Sequence, residues 1–139
     1  MKTESTTIEF WCQNAGKHPV IGDVWYRLST ARGKEEARYS RYLCAALSMM
    51  AHNVNDCETM IRLLDSVANG SSTSEGFGFN DTCVTFDANG VQVEILIEEQ
   101  SEPVEGRFSL GEYRKALCAW REFLLMPERK ESTMYITLP

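Results

Sequence analysis

Nine carboxylates and not one lysine, arginine or histidine lie between Arg62 and Arg107: Asp65, Glu75, Asp81, Asp87, Glu94, Glu98, Glu99, Glu102 and Glu105. Residues 1–70 hold eight acids and eight bases, so the whole formal charge of −6 belongs to residues 71–139. A field of one sign at this density repels nucleic acid and anionic lipid and speeds encounter with a basic partner. The plainer reading of the same residues is that they keep strand edges and loops solvated.

Other reactive side chains do not assemble into a recognisable set. Cys12, Cys44, Cys57, Cys83 and Cys118 are spread along the chain, with no two closer than thirteen residues, and the histidines are His18 and His52 alone. Zinc needs donors at short, regular spacings, and neither Cys-x-x-Cys nor His-Glu-x-x-His occurs. The acids of residues 81–94 do not follow the ligand order of a calcium loop. Gly76-Phe-Gly-Phe-Asn lacks the Lys-Ser/Thr of a phosphate loop and leads into a strand pattern, so it reads as a strand entry. Cys44, Cys57 and Cys118 lie on or beside apolar helical faces, where a thiol is a small core residue. A catalytic carboxyl needs burial to shift its pKa, and these acids have the surroundings of solvated groups. No residue is nominated as catalytic, and no metal or cofactor is expected. Arg27, Arg32, Lys34, Arg38 and Arg41 form a modest basic cluster with Tyr39 and Tyr42. An isoelectric point near 5.0 nevertheless opposes nucleic-acid binding.

The elements that carry these residues can be read from spacing. Residues 6–12 and 20–29 are rich in β-branched and aromatic residues and predict two paired strands separated by the turn-forming QNAGKHP. From Lys34 the period changes: Tyr39, Tyr42, Leu43, Ala46, Leu47 and Met50 define one face of a helix over about 34–51. Asn53 to Asp56 supplies N-cap candidates for a second helix carrying Cys57, Met60, Ile61, Leu64 and Val67, and Gly70 suits a left-handed terminus. The two together predict a helical hairpin. Val84 and Phe86 lead into Asp87-Ala-Asn-Gly90, and Val91, Val93, Ile95 and Ile97 alternate on the way out, the pattern of a β-hairpin with a type I′ turn at Asn89-Gly90. An acidic loop from Glu98 to Gly106 follows. Ser109 and Glu112 then form a capping box for an amphipathic helix whose apolar stripe is Leu110, Tyr113, Leu117, Trp120 and Leu124, ended near Pro127. The tail MYITLP reads either as one more edge strand or as a flexible tail from about residue 128.

The totals fit a single α+β domain of 139 residues: a small antiparallel sheet, a helical hairpin inserted between the N-terminal strands and a C-terminal β-hairpin, and the amphipathic helix. Apolar residues at 43% and charged residues at 24% are globular proportions. No run reaches the roughly 20 apolar residues of a membrane helix. MKTESTTIEF has no apolar core of a secretory signal, so a cytoplasmic location with reduced thiols is expected.

The hairpin VTFDANGVQVEILIEE and the helix SLGEYRKALCAWREFLLMP together resemble small bacterial immunity proteins of polymorphic toxin systems, including those of contact-dependent growth inhibition. Ser109, Leu110, Glu112, Tyr113, Ala116, Leu117, Trp120, Phe123 and Leu124 carry the resemblance, which covers about the last half of the chain. It implies inhibition by binding: an immunity protein occludes the active site of a cognate toxin domain, often a nuclease and therefore basic. On that implication Asp81, Asp87, Glu94, Glu98, Glu99, Glu102 and Glu105 are the candidate partner-binding residues. The alternative is a small cytoplasmic α/β enzyme or ligand-binding protein.

Overall fold

A computed structural model describes residues 5–79, 81–95 and 103–138. The class is α+β, with two antiparallel sheets in place of the single one expected. One sheet has the order β2-β1-β7, from β1 (Thr6–His18), β2 (Gly22–Gly33) and β7 (Thr133–Leu138). The other has the order β3-β4-β5-β6, from β3 (Ser74–Phe79), β4 (Thr82–Asp87), β5 (Gly90–Ile95) and β6 (Arg107–Phe108). The tail expected to be either a strand or a flexible end is β7, which pairs with β1 from Thr6↔Leu138 to Trp11↔Thr133.

β1 and β2 run longer than their apolar patterns. All of QNAGKHP but its proline continues β1, where the register shifts between Asn14 and Gly16, and the reversal itself falls after His18. Turn-forming residues thus serve a β-bulge. Asn14 Oδ1 accepts the Gly16 N–H at 2.6 Å, and Gly16 takes φ +107°, a conformation open to glycine. Beyond Cys12 both strands leave the core as an arm whose tip exposes Val20 (84%) and Ile21 (71%).

The first helical region keeps its expected face and alters its winding. Glu36–Arg38 (α1) and Ala45–Met50 (α2) are α-helical, and Tyr39–Cys44 between them is π-helical. The wider turn brings Tyr39, Tyr42, Leu43 and Cys44 all to the buried side. In α3 (Val54–Ala68), Asn53 caps the start by accepting the Asp56 N–H at 2.8 Å, and Gly70 follows the end at φ +84°. The partner of α3 is α4 (Leu110–Leu124), not α2 as the hairpin reading had it. Asp65 accepts two hydrogen bonds from Arg114 across that contact, at 2.7 and 3.0 Å. The guanidinium holds the Asp65 carboxyl below its ordinary value.

α4 joins the two sheets into one core. Its capping box is formed, with Ser109 Oγ accepting the Glu112 N–H and Glu112 Oε1 accepting the Ser109 N–H. At its first turns Tyr113 meets Phe86 and Phe108 of one sheet, at 5.8 and 6.5 Å between ring centres. At its last turns Trp120 and Phe123 meet Phe10 of the other, at 5.2 and 5.7 Å. Leu117 and Trp120 are buried as expected. Leu124 is only half-buried, and Phe123 takes the inner position assigned to it.

Buried thiols give this core a pH dependence. Burial pushes the Cys44 thiol up to about 11, and burial followed by the neighbouring Asp56 carboxylate pushes Cys57 up to about 12. In the unfolded chain both titrate near 9.0. The folded state therefore holds these protons longer, and the stability they contribute is complete below that value and lost as pH rises towards the folded ones. The melting temperature is expected to fall between about pH 9 and about pH 11, with less of a fall for Cys57→Ala measured against its own value at neutral pH. An identical alkaline profile for Cys57→Ala would assign the sensitivity to other groups.

Candidate partner-binding surface

Alternation along β4 and β5 divides the second sheet into two unlike faces. Thr82, Val84, Phe86, Val91, Val93 and Ile95 point inward and are buried. The pairs Cys83↔Glu94, Thr85↔Gln92 and Asp87↔Gly90 point outward. β3 continues the outer face with Ser74, Gly76 and Gly78, opposite Asp87, Thr85 and Cys83. The helices pack on the inner side, leaving Gly76, Gly78, Thr85 and Glu94 exposed.

The expected acidic residues separate along this face. Glu94 is exposed on β5 and lies at the same end as Asp81, which is exposed in the β3–β4 turn next to the pair Thr82↔Ile95. Asp87 sits four residues along β4 from Cys83, the partner of Glu94, about 14 Å from that position at the usual strand rise. Its role is local, since Oδ1 accepts the Asn89 N–H at 2.8 Å within the turn. Glu105 is half-buried in the 3-10 turn Pro103–Gly106, which packs along β5, and its carbonyl accepts from Arg38 at 3.2 Å. Glu98, Glu99 and Glu102 lie outside the described residues.

Three features of this face carry no signal in the charge count. Arg107 on β6 places a cation beside Gln92, with Nε donating to Oε1 at 2.9 Å, and so divides Asp87 from Glu94 electrostatically. Cys83 stands directly opposite Glu94. Its thiol is pushed above its ordinary value first by burial and then by that carboxylate, so it stays protonated. Gly76 and Gly78 leave the β3 column bare although the backbone there does not require glycine. Cβ atoms added to them would come no closer than 3.4 and 3.6 Å to their neighbours, and neither φ is positive. Glycine without a local need marks a strand surface that another backbone can approach closely. The Gly-x-Gly spacing in β3, read with strand period, was the available signal.

Arg38 fixes the 3-10 turn and β6 against the first helical region. Nη1 donates to the carbonyls of Glu105 and Arg107, and the guanidinium stacks 4.6 Å from the Tyr39 ring centre and 4.7 Å from that of Phe108. Tyr39 in turn donates to Glu112 Oε2 at 2.7 Å; burial, then that hydrogen bond, raises its pKa. The basic cluster of the first half is thereby partly spent on internal structure.

Concavities elsewhere are lined differently. A groove of about 470 Å³ opens beside Trp11, Trp25 and Lys130 where β7 ends and β1 runs on. A cleft of about 180 Å³ lies between β2 and the ends of α2 and α4, lined in part by Arg27, His52, Trp120 and Glu128. Among the described residues no three His, Cys, Asp or Glu side chains converge as metal ligands, and no helix is long and apolar enough to cross a membrane. Comparison with protein-family models, with curated proteins and with solved structures finds no match for this chain.

Proposed function

We propose that this chain is an immunity protein, a non-enzymatic inhibitor that binds a basic toxin domain, in the first instance a nuclease, and occludes its active site. The observation that supports the reading is the outer face of the second sheet, which no described element covers. At one end it sets Glu94 and Asp81 beside the bare Gly76–Gly78 column, and the acidic run Glu98, Glu99, Glu102 and Glu105 follows β5 directly in the chain. Carboxylates on an open strand surface offer a nuclease cleft the charge of its substrate, and fast electrostatic association suits a protein that must act before its target does. The resemblance of residues 84–99 and 109–127 to immunity proteins points the same way. The cytoplasm, where such toxins act, is the location this function requires.

This reading expects a toxin gene beside this one, and the probe is that toxin's C-terminal domain, with affinity measured at two salt concentrations. Asp81→Lys with Glu94→Lys is expected to weaken binding by about tenfold or more and to flatten its salt dependence, because charge reversal removes both steering and contact. Reversal of Glu98, Glu99 and Glu102 together tests the adjoining run by the same two readouts. Gly78→Ala adds a Cβ that comes no closer than 3.6 Å to its neighbours and is expected to weaken binding while the fold keeps its stability. If all three variants bind like the parent with the same salt slope, the interface is elsewhere.

A further inference from the structure

β2 is an edge strand whose C-terminal end is covered by the π-helical segment, while the end of α2 flanks Trp25 to Arg27 across a cleft. The Ala31 N–H points away from β1 and donates to Ser40 Oγ at 3.0 Å, so the π-helical segment closes the strand's C-terminal end. Strand alternation then turns the N–H and C=O of Asp23, Trp25 and Arg27 outward as well. The backbone hydrogen bonds of the described residues include none on that side of these three. An uncovered edge of this length without proline is a template for a further strand.

We propose that this edge pairs with its own copy, β2 against β2 in antiparallel register about a two-fold axis at Trp25, so that two chains share one six-stranded sheet. The register is dictated by the residues. With Trp25 opposite Trp25, Asp23 falls opposite Arg27 twice and Val24 opposite Tyr26 twice, so each charge of the edge meets its opposite, the two Trp25 rings meet each other and each Tyr26 meets a β-branched side chain. Asp23, Trp25 and Arg27 are the outward-pointing residues, which makes 23–27, 25–25 and 27–23 the hydrogen-bonded pairs and supplies about six backbone bonds.

Two further observations fit this occupant. The 180 Å³ cleft runs beside Trp25 and Arg27, where the described residues give the guanidinium a 4.0 Å approach from Glu128 and a 3.0 Å bond to the Met126 carbonyl. That is where the register delivers the partner's aspartate at position 23. The arm tip, Val20 and Ile21, is brought alongside residues 29 and 30 of the second copy, which gives its exposed apolar side chains a surface to cover.

Sedimentation of the full chain over a wide concentration range, with hydrogen exchange at the lowest and highest concentrations, tests the proposal. The expected result is a mass of two chains at high concentration, with the Asp23, Trp25 and Arg27 amides protected only there. Asp23→Arg is expected to weaken self-association by about tenfold or more, since it sets like charges opposite at both ends of the ladder. An equimolar mixture with Arg27→Glu restores pairing, because each chain then offers the charge the other lacks. Parent chain that stays monomeric overturns the proposal, as does a dimer that Asp23→Arg leaves intact or whose edge amides exchange freely. Monomeric chain whose edge amides become protected only on adding the toxin domain overturns it too, and would make the edge part of that interface.

Discussion

Trp120→Ala is expected to lower the stability of the folded chain by about 3–5 kcal/mol, the range for removing a large buried aromatic residue. Trp120 is 2% exposed and packs against Phe10 and Phe123 at 5.2 and 5.7 Å. Its indole N–H donates to the Ala51 carbonyl at 2.8 Å across 69 positions of the chain. Truncation therefore opens a cavity at the junction of α4 with the first sheet and leaves a buried carbonyl without its donor, two costs that act together. Denaturant unfolding followed by circular dichroism measures the change. A loss below about 1 kcal/mol would mean that the junction collapses around the cavity, or that the ring is not seated there.

Gly90 is the second position where a small change has a large consequence, and the structure alters the reason. Read from sequence, Asn89-Gly90 forms the centre of a type I′ turn, in which both residues take positive φ. In the folded chain Asp87 pairs with Gly90, Ala88 and Asn89 make the turn, and Asn89 keeps a negative φ. Gly90 alone takes φ +132°, and a Cβ there would stand 2.6 Å from the Phe108 carbonyl oxygen of β6. A type I′ turn tolerates asparagine at such a position, whereas a backbone contact tolerates no side chain. Gly90→Ala and Gly90→Asn are accordingly both expected to destabilise by about 2–4 kcal/mol, from strain and displacement of β6. A thermal melt of Gly90→Asn within a degree or two of the parent would restore the turn explanation.

What could be read from the sequence was what neighbours in sequence decide. Alternation in residues 82–95 gave the hairpin and its buried face, Ser109 with Glu112 gave the cap of α4, and Asn53 and Gly70 gave the limits of α3, because each of these is a contact within a few residues. Decisions made between distant segments were hidden. Nothing local says that α3 should pack on α4 in preference to α2, that β7 should complete the first sheet, or that QNAGKHP should bend a strand instead of ending it. The candidate surface was legible in part. Charge counting nominated Asp81, Asp87 and Glu94 together, and only the cross-strand register separates Asp87 from the other two and places Arg107 between.

The pairing of β1 with β7 sets a timetable for synthesis. β1 and β2 can close on each other as soon as both have emerged, yet the strand that covers the other side of β1 follows every other described element. Joining such distant segments carries a loop-closure cost that local hairpins escape, and folds built on such pairings assemble slowly. Throughout that interval the row from Thr6 to Trp11, with Ile8 and Phe10 on its apolar face, stands as an uncovered strand edge in a crowded solution. The nascent chain is for that period most exposed to aggregation along the very strand that becomes the centre of its first sheet.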